Sequence, residues 1–293
     1  MNALKKVAAI AKLTRIEHSV MLIVAVAAAE LIAGGIPALP ILLLSFVTAS
    51  FISMGAFAIN DYFDVETDRA NRMMKRPIVN GSISRNGAFA VAIVCFVIGS
   101  LASIPINAYA FVIAAGFSVF NYAYSYRLKD MVLVGNSYVA LSSAIPFVYG
   151  SFVVTTAIPA VLVLVCFVVF LGSLAREIHG AIRDREGDQK IRRTRNIVYY
   201  MGVARSASLA ATLYGEAIAI SIFLFFFKAP FAYNLVYIVP VTIANLLFFY
   251  VAVGHTRKKL DTRFFRLSRN ISLGAMALVL ITYLASAVFY VFV

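Results

Sequence analysis

The chain has 293 residues, of which 62% are hydrophobic and only 13% charged, too little polar surface for a soluble globular domain and the balance of a membrane protein. Its formal charge of +13, from 26 Lys and Arg against 13 Asp and Glu, would suggest a nucleic-acid partner in a soluble protein, but the positions of those charges point elsewhere. Cys95 and Cys166 lie in separate apolar runs and the three histidines are scattered, which excludes a disulfide framework and a histidine-rich zinc site.

A membrane-crossing helix needs about 20 mostly apolar residues, and nine runs meet that demand: 19–36, 39–59, 87–104, 107–124, 131–151, 156–176, 203–227, 232–253 and 270–292. The first follows Lys5, Lys6, Lys12 and Arg15, as a secretion signal would. It continues past the small residues 25–29 to Ile36, however, and is read as a span. The connections alternate: 34–37, 105–107 and 151–156 are short and uncharged, whereas 60–86, 176–199 and 254–269 are long and charged. Every Lys and Arg except Lys228 then falls on one face. The positive-inside rule places that face, with the N-terminus and the long loops, in the cytoplasm of a multi-pass plasma-membrane protein and the C-terminus outside. The basic excess is therefore a topology signal; the expected partner is the lipid bilayer and no nucleic acid.

The first long connection opens Asn60-Asp61-Tyr62-Phe63-Asp64-Val65-Glu66-Thr67-Asp68. On a helix Asn60, Asp64 and Asp68 stand at i, i+4 and i+8 and share a face, with Asp61 bordering it. Stacked carboxylates repel one another, so the pattern calls for a cation. Mg²⁺, held by one or two carboxylates with phosphate oxygens completing its octahedron, suits it; a solvated helix end is the plainer alternative. After the sixth span the sequence runs Arg176-Glu177-Ile178-His179-Gly180-Ala181-Ile182-Arg183-Asp184-Arg185-Glu186-Gly187-Asp188, with Asp184 and Asp188 again four apart. A surface ion-pair network with the neighbouring arginines would also explain this segment. Interleaved with Lys75, Arg76, Lys129 and Arg176, the two acidic segments describe a binding site for a Mg²⁺-bridged diphosphate. The 120-residue offset between Asp64 and Asp184 suggests two helical halves, about 1–125 and 126–293, of one transmembrane domain covering 1–293. Within the spans the acids are Glu30 and Glu216. Glu216 is either a functional group or a protonated acid bonded between helices.

Asn60-Asp61-x-x-Asp64-x-x-x-Asp68, followed by Lys75-Arg76-Pro77-Ile78 and Gly81-Ser82-Ile83-Ser84, resembles the first signature of the UbiA-type intramembrane prenyltransferases, and Asp184-x-x-x-Asp188 with Glu186-Gly187 resembles the second. The resemblance implies an all-α fold of nine transmembrane helices around a central cavity, with two Asp-rich helical loops on the cytoplasmic side. It also implies Mg²⁺-dependent transfer of a prenyl group from a prenyl diphosphate donor to a lipophilic acceptor. By that likeness Asn60, Asp64 and Asp68 hold one metal and Asp184 and Asp188 the other. Lys129 contacts the diphosphate, Tyr124 lies near the allylic carbon, and Arg15 is a further phosphate ligand. Asn-Asp-Tyr-Phe-Asp, Arg-Glu-Ile and Glu-Gly-Asp are most like members that prenylate geranylgeranylglyceryl phosphate in archaeal ether-lipid synthesis. Glu17-His18 after Arg15 is instead reminiscent of members that use aromatic acceptors such as 4-hydroxybenzoate. From another class, a divalent-cation or lipid transporter would also have many spans, but would carry its acids and broken helices at mid-membrane.

Overall fold

A computed structural model describes residues 3–187, 197–257 and 262–292. Ten α-helices follow one another: α1 (Ala3–Thr14), α2 (Glu17–Ile32), α3 (Leu39–Ala70), α4 (Arg85–Ser103), α5 (Ala108–Tyr126), α6 (Val134–Val154), α7 (Ala160–Gly187), α8 (Ile197–Phe227), α9 (Leu235–Arg257) and α10 (Thr262–Phe292). A short 3₁₀ turn, Leu128–Asp130, joins α5 to α6. Among the described residues there is no strand, so the chain is all-α.

Each of the nine apolar runs coincides with one of the helices α2–α10, and α1 is an additional helix ahead of them. Seven of these, α3, α4 and α6 to α10, are long and apolar enough to cross a bilayer, which makes this a multi-pass membrane protein. The other two fall short of the same measure: α2 has only 16 residues, and α5 carries four tyrosines and an asparagine in its 19. The first acidic segment is helical, as its spacing predicts. It is the end of α3, a single helix of 32 residues that begins with a proline in its first turn and continues unbroken through Asp68.

The chain divides into two compact units, one of residues 1–26 and 37–129, the other of 27–36 and 130–293. In the first, α4 starts where the Ser84 side chain accepts the Gly87 N–H at 3.0 Å, and α5 where Asn107 accepts that of Ala110 at 2.8 Å, so each caps otherwise unpaired donors. Leu13, Ala58, Ile59, Val65, Ile78, Ala88, Ala92 and Phe96 form the core of this unit, with Tyr62 and Phe89 packed on it. Beneath it α3 and α4 approach closely through glycines. A Cβ on Gly99 would stand 2.8 Å from Ile52 Cγ1 and 3.2 Å from the backbone of Ile52 and Thr48; one on Gly55 would stand 2.7 Å from the Phe96 ring. Small residues at such a crossing let membrane helices pack by van der Waals contact. Gly99→Leu is therefore expected to lower the melting temperature of the detergent-solubilised protein by about 5–10 °C, as overpacking by a few kcal/mol would. Gly116→Ala, at a site with nothing within 4 Å, should leave it unchanged.

In the second unit Pro146 sits inside α6 and Pro240 inside α9, and α8 bends at Gly202, whose φ of 74° suits a residue without Cβ. Phe147, Phe231, Tyr237 and Tyr283 pack as rings 4.6–6.3 Å apart. Tyr237 donates to the Ser221 carbonyl at 2.7 Å and Ser221 pairs with Asn245.

Candidate functional site

Asp61, Asp64 and Asp68 lie on the last turns of α3 with exposures of 2%, 8% and 4%, which dismisses the solvated-helix reading. Three carboxylates withdrawn from water need opposite charge, and three separate segments bring it.

The first is the break between α1 and α2. Leu13 is fully buried in the core and anchors α1. Arg15, at φ 46°, turns the chain, and its guanidinium donates to Asp61 Oδ1 at 3.0 Å. The same guanidinium lies over the Phe57 ring, 4.4 Å from its centroid, one helical turn before Asp61. Phe57 and Asp61 thus grip Arg15 at two points on one face of α3.

The second is the loop after α3. Asn71 ends the helix, Arg72 takes φ 52°, and the Met73 N–H bonds the Asp68 carbonyl at 2.9 Å, which doubles the chain back. Pro77 and Ile78 are buried, Ile78 in the core. Their burial carries Arg76 against the helix, where it donates to Asp61 Oδ1 and lies 3.7 Å from Asp68 Oδ2. Lys75, one residue earlier, is exposed and takes no part in these pairs.

The third is the 3₁₀ turn. α5 is held on α3 by Phe63 against Tyr122 and Tyr126, ring centroids 5.6 Å apart in each case. Just past the helix end, Lys129 Nζ donates to Asp64 Oδ1 at 2.6 Å. Asn60 Nδ2 donates to the other oxygen of Asp64 at 3.0 Å, so the i, i+4 pair seen in the sequence is formed. Tyr124 is half-buried near the end of α5.

Asp61, Asp64 and Asp68 are thus matched in number by Arg15, Arg76 and Lys129. Two of these contacts escape sequence reasoning: Asp61 is the hub of the cluster and not a border residue, and Lys129 engages Asp64 itself. The remaining candidates lie in the second unit. Arg176 on α7 pairs with Glu177 at 3.1 Å. Asp184 stands near the C-terminal end of α7, with a side chain outside the described residues, and Asp188 lies outside them altogether. Glu30 is buried and Glu216 is exposed on α8.

A metal at the first motif would meet a carbonyl oxygen of Asn60 and the carboxylates of Asp64 and Asp68, hard donors that fit Mg²⁺ and not a thiophilic ion. Among the described residues no three His, Cys, Asp or Glu side chains form a ready-made metal cage. Mg²⁺ does not need one, since it keeps water and takes phosphate oxygens beside one or two carboxylates.

Residues 21–274 match the UbiA prenyltransferase family. The digeranylgeranylglyceryl phosphate synthase of Archaeoglobus fulgidus is 35% identical over 249 residues, covering 84% of this chain and 83% of its own. That of Sulfolobus acidocaldarius is 29% identical over 239 residues, covering 81% and 84%. A structure from a study of digeranylgeranylglyceryl phosphate synthase in membranes aligns with a TM-score of 0.79 at 22% identity, covering 97% of this chain and 99% of that one. A UbiA homologue from Archaeoglobus fulgidus, bound to GPP and Mg²⁺, aligns at 0.66 with 19% identity, over 97% and 100%. These two likenesses establish the fold.

Proposed function

The chain belongs to the UbiA prenyltransferase family, and from that premise we propose that it transfers a geranylgeranyl group from its diphosphate to geranylgeranylglyceryl phosphate, a step of ether-lipid synthesis. What supports this reading is the buried, charge-matched cluster of Asp61, Asp64 and Asp68 with Arg15, Arg76 and Lys129, joined to the likeness to named digeranylgeranylglyceryl phosphate synthases.

In this mechanism Asn60, Asp64 and Asp68 would hold Mg²⁺, with Asp184 and Asp188 a second ion. Bound there, Mg²⁺ would neutralise charge on the diphosphate oxygens. The bond between the prenyl carbon and oxygen breaks, both electrons leave with the diphosphate, and an allylic cation remains. Lys129, Arg15 and Arg76 oppose the charge that grows on the leaving group, and because the fold already orients them little reorganisation is needed as it develops. Lys75, one residue before Arg76, is a further diphosphate contact. The Tyr124 ring steadies the cation, and apolar surroundings keep water from it until the acceptor hydroxyl oxygen bonds the carbon and its proton passes to the departed diphosphate. The whole chain acts as one transmembrane domain of nine spans, with its N-terminus and both acidic motifs in the cytoplasm.

An aromatic acceptor is the second reading, motivated by Glu17-His18 beside Arg15; His18 packs edge-on to Phe57 at 5.0 Å, next to the guanidinium. Purified protein with geranylgeranyl diphosphate and Mg²⁺, offered geranylgeranylglyceryl phosphate and 4-hydroxybenzoate in parallel, separates them. The expected product is the doubly prenylated glyceryl phosphate, absent with Asp64→Ala. A prenylated aromatic acid would move the protein to the other branch, and no Asp64-dependent product with either acceptor would refute both.

A further inference from the structure

The acids of the first motif do not share one set of partners. Both oxygens of Asp64 are taken by Asn60 and Lys129, residues assigned above to metal and diphosphate. Asp61 is the most deeply buried of the three, and its Oδ1 accepts from two guanidiniums that reach it from opposite sides of the sequence, Arg15 before α2 and Arg76 after α3. Its Oδ2 is buried without a hydrogen-bond partner among the described residues.

Two guanidiniums on one carboxylate oxygen repel each other, and the carboxylate between them offsets that repulsion. Each also has a second contact, Arg15 with the Phe57 ring and Arg76 with Asp68. The planar forks are therefore fixed in direction before any anion arrives, the condition under which Arg binds a phosphate group at low entropic cost.

Resting on the reading of a diphosphate site, we propose that Asp61 is a positioning residue: it fixes Arg15 and Arg76 for the substrate diphosphate and does not ligate the metal. The motif then divides its labour. Asn60, Asp64 and Asp68 serve the cation, and Asp61, whose partners are both guanidiniums, serves the anion through them.

The test compares wild type, Asp61→Asn, the Arg15→Gln/Arg76→Gln pair and the triple variant. Two quantities are measured on each: calorimetric binding of inorganic pyrophosphate with Mg²⁺ present, and half-saturating Mg²⁺ in prenyl transfer. Asp61→Asn alone is expected to weaken pyrophosphate binding about tenfold, the loss of well-oriented charge-assisted bonds. The triple variant should match the Arg pair within about twofold in both quantities, because a residue acting only through two others has no effect once they are gone. If Asp61→Asn still raises half-saturating Mg²⁺ several-fold in the Arg-free background, Asp61 binds metal through Oδ2 and the proposal is overturned; equal pyrophosphate binding by wild type and Asp61→Asn overturns it too. Pyrophosphate binding needs no prenyl transfer. Wild type that binds the anion but forms no product therefore refutes the proposed reaction and leaves Asp61 to be judged on binding, whereas wild type that binds no pyrophosphate refutes the positioning role. Should Asp61→Asn not fold, Asp61→Glu replaces it: the charge stays, the guanidiniums are displaced by one methylene, and the same loss and the same disappearance in the Arg-free background are expected.

Discussion

Asp64→Asn is expected to lower kcat/KM for the prenyl diphosphate by about 10³-fold or more, roughly 4 kcal/mol of transition-state stabilisation. The substitution keeps the shape of the side chain and removes its charge. Both oxygens of Asp64 are engaged by other members of the site, Lys129 at 2.6 Å and Asn60 at 3.0 Å. Without the charge, the cation loses a ligand and Lys129 loses the partner that aims it, so two contributions to leaving-group stabilisation fall together. The protein also loses stability, because Lys129 is left largely buried without its counter-ion. Activity must therefore be read on the folded fraction, with the melting temperature measured beside it. A folded Asp64→Asn protein with near-normal kcat/KM would place the reaction elsewhere in the chain.

The second large effect is loss of diphosphate binding when divalent cations are removed. With EDTA, pyrophosphate binding to the wild type is expected to weaken by about 100-fold, a coupling of nearly 3 kcal/mol, and product formation is expected to stop until Mg²⁺ is restored. The reason is the matched charge of the cluster. Pyrophosphate alone would have to enter beside three carboxylates already paired with Arg15, Arg76 and Lys129, competing with them for the same cations. Mg²⁺ alone would find the carboxylates already occupied. Together they exchange partners, Asp64 and Asp68 turning to the metal and the bases to the phosphate oxygens, while Asp61 keeps Arg15 and Arg76 in place. By reciprocity, pyrophosphate should tighten Mg²⁺ binding by the same factor. Calorimetric titrations in both orders check this, and pyrophosphate binding unaffected by EDTA would remove the carboxylates from the site.

The acidic motif was legible because its spacing of four matches the helix period, and the structure keeps Asn60 bonded to Asp64 as that spacing requires. Asp61 was less legible for a physical reason. A membrane span is apolar all round, so its sequence marks no inward face, and nothing in 39–59 reveals that Asp61 points to where α1 and the 71–84 loop converge. That Arg76 and not Lys75 pairs with the acids is likewise tertiary: burial of Pro77 and Ile78 carries Arg76 to the helix. Lys129 reaches Asp64 only because Phe63 seats α5 on α3, a contact across more than sixty residues. Composition ended the span at 59 although its helix continues to Ala70, since charge density reads as polarity whether or not the helix continues. The chemistry itself was carried by the family signature and not by spacing, as stacked carboxylates fit many cation-dependent reactions.

The unbroken course of α3 sets the depth at which its carboxylates stand. From Leu39 to Asp64 the helix rises about 38 Å at 1.5 Å per residue, against a hydrocarbon layer of about 30 Å. With Leu39 at one boundary of the oily layer, the carboxylates stand at the height of the lipid headgroups beyond the other, even if the helix tilts by the usual 20° or so. An amphiphile floating in that leaflet already carries its phosphate at this height and its chain below. Donor and acceptor can then reach the site by lateral diffusion, with no need to expose a chain to water, and a bilayer several ångströms thicker would draw the carboxylates down toward the acyl layer and slow the enzyme without altering one of its residues.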